Sequence, residues 1–144
     1  MNYLLDTCVV SELIKPYPDS AVTNWVRDTD EDALYLSVMT LGEIEKGIAL
    51  LGNTARMRYL RNWLNNDLWE RFHERTLHID EAVALEWGRQ FALCEKNGRP
   101  RPVVDMLLSA TAVTHGLTIA TRNTSDFDSL VVPVFTPWEK NGFR

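Results

Sequence analysis

The chain alternates short apolar runs with longer amphipathic stretches, and this alternation limits its possible folds more than any other feature. Apolar runs at 3–5, 33–37, 77–79, 117–120 and 131–135 have the length of buried strands. Between most of these runs, apolar residues recur three and four positions apart, as they do on one face of a helix. Strands separated by helices favour a mostly parallel sheet with helices on both faces, which is the α/β class.

Capping and stop residues set the predicted helix bounds. Helices are predicted to start at Asp19 or Ser20, to run from Thr40 to Gly52, from Thr54 to Phe72 and from Asp80 to Asn97-Gly98, and to extend from Pro102 to Gly116. TRNTSDF, at 121–127, is expected to form a loop. The segment after Asp6 is given no element, although Asp6 could cap a helix there.

Composition bounds the size and setting of the protein. At 144 residues and 45% hydrophobic, the chain can bury one core, so we expect a single domain over 1–144. Its two cysteines predict no disulfide framework and a reducing, cytoplasmic setting. No signal peptide or membrane anchor is recognised, so no membrane association is expected. The net charge of −5 argues mildly against broad nucleic-acid binding but leaves room for a local basic groove.

Four acidic residues are predicted to share one edge of the sheet. Asp6 follows the first strand at once, and Glu43 lies in the first turn of the helix predicted after the second strand. Asp126 lies in the loop after the strand that ends at Ala120. Asp105 lies early in an apolar helix, where an uncompensated charge is costly. Because ligands of open α/β sheets bind at the carboxyl ends of the strands, we expect these side chains to converge.

Each acid also has an ordinary structural explanation. Asp6 could cap a helix, and Asp126 could form a turn. Glu43 and Asp105 could be favourable charges in the first turns of their helices. Unrelated caps and turns, however, have no reason to share one edge of a sheet.

Convergence of the acids would require a cation or shared protons. Two carboxylates about 5 Å apart repel by about 3 kcal/mol at an effective dielectric of about 20. The three histidines lack metal-ligand spacing, so zinc is not expected. Oxygen ligands suit Mg²⁺, with Mn²⁺ as a substitute, and favour phosphate chemistry in which the metal activates water.

Four segments together resemble the PIN-domain ribonucleases, in particular the VapC-type toxins of bacterial toxin–antitoxin pairs and their FitB-like branch. They are LLDTCVVSELIK, TLGEIEKGIALL, VVDMLLSATAVTHGLTIATRNTSDF and FTPW, and the resemblance runs from Asn2 to Trp138. It implies a PIN-like three-layer α/β/α sandwich, Mg²⁺-dependent endonucleolytic cleavage of RNA, and a homodimer. It also implies inhibition by a small VapB-like antitoxin that inserts a segment into the active-site groove.

The resemblance also assigns roles to individual residues. The family's metal-binding acids fall on Asp6, Glu43 and Asp105, and its fourth acidic position falls on Asp126. Asn123 occupies a position that is acidic in some relatives, so either Asn123 or Asp126 approaches the metal.

Further residues surround these acids. Thr7 and Thr121 match polar residues beside the cluster, and Cys8 stands where family members usually have Asn. A rim of basic residues that could meet RNA phosphates consists of Lys15, Lys46, Arg99, Arg101 and Arg122. Ordinary solvated surface charge is the alternative for that rim.

Other α/β classes fit the sequence less well. A phosphoryl-accepting receiver domain needs a paired acid after the first strand and a lysine after the last, and this chain has neither. A haloacid-dehalogenase-like phosphatase needs a second Asp at position 8, which is Cys8. A catalytically inactive PIN-fold module that binds RNA or protein stays as the alternative, and the presence of all four acids counts against it. The RNA that is cut and the number of metal ions are left open.

Overall fold

A parallel sheet forms the centre of the computed structural model, which describes residues 1–139. Its strands are β1 (Tyr3–Leu5), β2 (Leu34–Ser37), β3 (Thr76–Leu77), β4 (Thr118–Ala120) and β5 (Val134–Phe135), in the spatial order β3-β2-β1-β4-β5. Every neighbouring pair is parallel, and the central pairings place Leu4 beside Tyr35 and beside Ile119. The predicted parallel sheet is therefore confirmed.

Helices cover both faces of this sheet. They are α1 (Thr7–Leu13), α2 (Ser20–Asp28), α3 (Val38–Ala49), α4 (Ala55–Asn62), α5 (Trp69–Phe72), α6 (Glu81–Lys96) and α7 (Val103–His115). Successive strand residues face opposite layers: Leu5 belongs to a core with Val9 and Val22, whereas Leu4 packs with Leu108 of α7. The predicted three-layer α/β/α arrangement is confirmed. Within residues 1–139, no helix has the length and apolar character needed to cross a bilayer.

The start of the chain differs from the sequence expectation. The segment after Asp6, where the sequence predicts no defined helix or strand, forms α1. The Asp6 carboxylate caps this helix, because it accepts the Thr7 backbone N–H at 2.7 Å. Helix α3 begins at Val38 rather than Thr40, because the Ser37 hydroxyl caps it by accepting the Met39 N–H at 3.0 Å.

The predicted helix from Thr54 to Phe72 is not continuous. A π-helical segment, Trp63–Leu68, separates α4 from α5. The wider turns of a π-helix shift the face that follows them, and Leu68 and Phe72 are both buried in the first core. A purely α-helical pattern on the sequence does not contain this shift.

The edge strands are shorter than, or displaced from, the predicted runs. Strand β3 ends at Leu77 because its partner β2 ends at Ser37, which turns away into α3. Strand β5 begins at Val134 rather than 131, because Val131 is exposed and Pro133 has no backbone N–H to donate to a ladder.

A group of ion pairs fixes the start of β2 at the edge of the sheet opposite the acidic residues. Glu31 accepts hydrogen bonds from Arg71 at 2.7 Å and from Arg75 at 2.9 Å. Arg75 also donates to the carbonyl oxygens of Glu31 and Leu34, each at 2.6 Å. The Arg71 hydrogen bond, followed by that from Arg75, holds the pKa of the Glu31 carboxyl at about 2 against the opposing effect of burial.

We predict that Glu31→Gln weakens the fold at neutral pH by about 1 kcal/mol or less, because solvent screens a half-exposed pair. The folded pKa lies below the ordinary value of 4.5. The contribution of Glu31 is therefore complete above that value and is lost as the pH falls toward 2. Urea unfolding at several pH values should show that the free energies of unfolding of wild type and Glu31→Gln converge in acid. The exposed control Glu70→Gln should keep a free energy of unfolding close to that of wild type at every pH. A constant difference between wild type and Glu31→Gln across that range would contradict the assigned role.

Candidate active site

Asp6 lies at the carboxyl end of β1 and bonds to two elements at once. Its Oδ1 caps α1 through the Thr7 N–H, and its Oδ2 accepts the Thr121 hydroxyl at 2.8 Å, from the residue after β4. Burial raises the pKa of the Asp6 carboxyl and the charge of Asp126 adds to this, while hydrogen bonds from Thr121 and Thr7 lower it. The capping role and the site role proposed for Asp6 are therefore compatible.

Thr121 connects the loop after β4 to this carboxylate. The residue is fully buried, and its hydroxyl accepts the Asn123 backbone N–H at 3.0 Å while it donates to Asp6. Its own backbone N–H donates to the Phe135 carbonyl at 2.9 Å, which continues the pairing of β4 with β5. The side chain of Asn123 is exposed, so this residue contributes to the site through its backbone.

Glu43 is held by the residue that follows Asp6. The Thr7 hydroxyl donates to Glu43 Oε1 at 2.8 Å, which joins the start of α1 to α3. Because α3 begins at Val38, Glu43 lies in the second helical turn and not in the first, as expected from the sequence. A favourable first-turn charge therefore does not account for Glu43.

Asp105 lies in the first turn of α7, as predicted, and is half-buried. Burial is the main cause that raises the pKa of its carboxyl to about 6. The negative charges of Asp126, Asp6 and Glu43, in that order, raise this pKa further, and Arg101 opposes them. The structure thus brings the other three predicted acids within electrostatic reach of Asp105.

Asp126 lies in a 3-10 turn, Thr124–Phe127, within the segment predicted as a loop. The Asp126 backbone N–H donates to the Asn123 carbonyl at 3.0 Å, and the buried side chain of Phe127 anchors the turn. The charge of Asp126 acts on both Asp6 and Asp105. The side chain of Asn123 is exposed, and which of the two residues approaches a metal stays a prediction.

Cys8 lies beside these acids. Its thiol lies 3.8 Å from Asp6 Oδ2 and 3.6 Å from the Thr121 hydroxyl, and it accepts the Arg122 N–H at 3.3 Å. Burial, and then the charge of Asp6, raises the pKa of the thiol, so Cys8 is a neutral thiol at neutral pH. It keeps the β4 loop close to α1.

Most side chains of the predicted basic rim already contact other groups of the protein. Lys15 pairs with Glu12 at 2.8 Å, Arg99 donates to the Ser129 hydroxyl at 2.6 Å, and Arg122 lies over the Trp138 ring at 5.5 Å. Lys46 is exposed near the end of α3. Arg101 donates to backbone carbonyls of the turn that carries Asp126, a role that the sequence does not reveal. Contact of these residues with RNA stays a prediction.

The donor set fits a hard cation in its chemistry. Within residues 1–139, no three His, Cys, Asp or Glu side chains already have the arrangement of a metal site. The four acids nevertheless offer only carboxylate oxygens, and in that part of the chain the side-chain carboxylates of Asp105 and Asp126 accept no hydrogen bond. A divalent ion would offset the repulsion that raises the pKa of Asp105.

The size of a cavity does not identify this site. A cavity of about 540 Å³ lies between α3 and the π-helical segment, and none of the four acids lines it. A groove of about 370 Å³ runs from Thr7 and Glu43 along apolar residues that include Ile48, Leu51 and Trp63. The carboxylate cluster marks the site because of its chemistry, and the groove leads away from it.

Comparison with known proteins agrees with this fold. The model of the PIN domain family matches residues 3–131. The chain belongs to the PIN-domain family.

Similar proteins include a toxin and a VapC ribonuclease. The chain is 36% identical to Toxin FitB of Neisseria gonorrhoeae over 94% of this chain and 97% of that protein. It is 33% identical to VapC ribonuclease Y4jK of Sinorhizobium fredii over 94% of this chain and 97% of that protein. The crystal structure of FitAcB from Neisseria gonorrhoeae matches at 35% identity with a TM-score of 0.89, over 95% of this chain and 99% of that chain. The FitB-like resemblance stated from the sequence is confirmed.

We predict that Asp105→Asn is at least as stable as wild type without metal, because it removes one repelling charge. The pKa of Asp105 in the folded protein, about 6, lies above its ordinary value of 3.8. The native state then holds a proton more tightly than the unfolded chain, so wild type loses stability as the pH rises through that interval, and the variant does not. Thermal unfolding in EDTA from about pH 4 to about pH 8 measures this difference.

The same two proteins should differ in their response to metal. An ion that binds only the folded state stabilises it, so millimolar Mg²⁺ should raise the melting temperature of wild type and raise that of Asp105→Asn less. The opposite result would make Asp105 a structural residue. In that case Asp105→Asn would lose about 0.3–1 kcal/mol of stability in EDTA, as expected for a missing charge at a helix N-terminus, and would respond to Mg²⁺ like wild type.

Proposed function

We propose that this chain is a metal-dependent endoribonuclease that acts as the toxin of a toxin–antitoxin pair. The observation that carries the proposal is the convergence of Asp6, Glu43, Asp105 and Asp126 at the carboxyl edge of a PIN-fold sheet. Relatives named as a toxin and as a VapC ribonuclease, at 36% and 33% identity over nearly the whole chain, support both parts of it.

Those four acids would hold Mg²⁺, or Mn²⁺ as a substitute. When bound, such an ion lowers the pKa of a water molecule and offsets charge on the leaving oxygen of a phosphodiester. Neighbouring residues orient these acids. The Thr7 N–H and the Thr121 hydroxyl each donate a hydrogen bond to one oxygen of Asp6, and the Thr7 hydroxyl donates to Glu43 Oε1. Each carboxylate oxygen has two acceptor sites, so both acids can still face a cation.

The alternative is a PIN-fold module that binds RNA or protein without cutting it. Such a module has no need of four half-buried carboxylates so placed that burial and neighbouring negative charges raise the pKa of Asp6 and of Asp105, because this arrangement costs stability. The hydrogen bonds that orient Asp6 and Glu43 are also intact. The catalytic proposal accounts for both features, and the binding module accounts for neither.

The substrate would reach the site past exposed basic side chains. Lys46 and Arg122 are exposed, and Lys15 lines the groove that begins at Glu43. Contacts of this kind recognise phosphates and not bases, so they support RNA binding without indicating a sequence. An RNA substrate and reduced cysteines are consistent with action in the cytoplasm.

The partners would be an antitoxin and a second copy of the chain. The FitAB and FitAcB structures, at 34% and 35% identity, are antitoxin complexes, which supports a VapB-like partner. The apolar groove beside Glu43 would receive a segment of that partner, close to the carboxylates. Exposed apolar side chains such as Trp69, Leu85 and Leu93 leave surface that a homodimer would cover.

We predict that the purified chain cuts a mixed RNA pool in Mg²⁺ and that Asp6→Asn lowers the rate by about two orders of magnitude or more. The substitution removes a charge at constant size, so the fold should survive. EDTA should abolish cleavage by wild type. Sequencing the 5′ ends of the products would identify the RNA that is cut.

The matched control is Asp28→Asn, which removes an exposed carboxylate at the end of α2. It should cleave like wild type. If wild type leaves RNA intact in Mg²⁺, or if Asp6→Asn cuts at the wild-type rate, the nuclease proposal is wrong and the binding module becomes the better account.

A further inference from the structure

Arg101 bonds to the backbone on both sides of Asp126. Its Nη1 donates to the Ser125 carbonyl at 3.0 Å and to the Asp126 carbonyl at 3.3 Å, and its Nη2 donates to the Asp128 carbonyl. We propose that Arg101 is a positioning residue, which clamps the turn carrying Asp126 against the start of the helix carrying Asp105. The inference deepens the proposed function, because it concerns the shape of the carboxylate cluster that would hold the metal.

The position of Arg101 in the chain explains why the clamp matters. Arg101 lies directly before Pro102, the N-cap of α7, and Asp105 lies in the first turn of that helix. The guanidinium therefore connects the backbone leading to one acid with the backbone around another, across a segment that contributes no strand to the sheet. A guanidinium presents several donors in a fixed plane, so it can hold three carbonyl groups at once, which an ammonium cannot do with the same geometry.

Other contacts hold the turn at different points. The buried Phe127 anchors it from the core, and the Asp128 N–H donates to the Ser125 carbonyl at 3.3 Å. Beyond the turn, Ser129 has a φ of 71°, which a serine adopts at some cost. Arg101 shares the Ser125 carbonyl with the Asp128 N–H and also bonds the carbonyls of Asp126 and Asp128. Those bonds leave its guanidinium committed to the protein and not to a phosphate.

Charge and position predict opposite effects of removing Arg101. A positive charge near Asp105 repels a cation, so loss of that charge alone should strengthen metal binding well above the pKa of Asp105. Loss of the clamp lets the Asp126 turn move away from the other acids and should weaken binding. The sign of the change in affinity therefore separates a positioning residue from a charge that merely lies close.

The test is Mn²⁺ binding to the full-length chain by isothermal titration calorimetry at about pH 8, well above the pKa of Asp105, with no RNA present. The variants are Arg101→Gln, Arg101→Lys, Asp126→Asn and the double variant Arg101→Gln/Asp126→Asn. Arg75→Gln is the matched control, because Arg75 also donates to several carbonyls but lies at the opposite edge of the sheet.

We expect Arg101→Gln to weaken Mn²⁺ binding about tenfold or more, as for other groups that orient metal ligands. Arg101→Lys should weaken it too, since it keeps the charge and loses the geometry, and it provides the same comparison if the Gln variant does not fold. The double variant should bind no more weakly than Asp126→Asn alone, because Arg101 acts through Asp126. Arg75→Gln should lower the melting temperature and leave the Mn²⁺ affinity unchanged.

Unchanged or tighter Mn²⁺ binding by both Arg101 variants would overturn the inference. So would a double variant whose Mn²⁺ affinity falls further than that of Asp126→Asn alone, or an Arg75→Gln variant that loses as much Mn²⁺ affinity as Arg101→Gln. A wild type that binds no Mn²⁺ would overturn it together with the metal assignment. Failure of the proposed function gives a different result, in which wild type binds Mn²⁺ and cuts no RNA, and the order of affinities among the variants still decides the role of Arg101.

Discussion

The mutual repulsion of four half-buried carboxylates is the constraint on which the rest of this structure depends. Parallel strands end at a common edge: Asp6 follows β1, Asp126 lies after β4, and the helix carrying Glu43 follows β2. Asp105, on α7, lies within electrostatic reach of all three. Burial, and then the negative charges of the other three acids, raise the pKa of Asp105 to about 6, so the acids are together at a cost in stability. Hydrogen bonds from Thr7 and Thr121 offset part of the cost, and a divalent cation would offset more.

Short strands leave much of the site to be held by side chains. The strands are two to four residues long, so the segments that carry the site lie outside the ladder. Two arginines donate to backbone carbonyls at opposite edges of the sheet: Arg75 at the start of β2 and Arg101 around Asp126. Both contacts satisfy backbone acceptors with side-chain donors. One supports the fold, and we propose that the other also shapes the site.

Local sequence patterns predicted the strands and helix ends that are set by nearby residues. Apolar runs located β1 and β4, and the cap at Asp80 and the stop at Gly116 located α6 and α7. The parallel order of the strands then placed the four acids at one edge. Contacts between distant segments were not predictable in this way: the π-helical shift before Leu68 depends on packing, and the acceptors of Arg101 are carbonyl groups, which every residue has.

Diffraction from crystals soaked in Mn²⁺, recorded at the manganese absorption edge, tests the central claim most directly. The account predicts an anomalous peak at the carboxyl edge of the sheet, within about 2 Å of oxygens of Asp6 and Asp105 and beside Glu43 and Asp126. A peak that is absent from this edge, or that lies only on surface carboxylates elsewhere, would show that the four acids do not form a metal site.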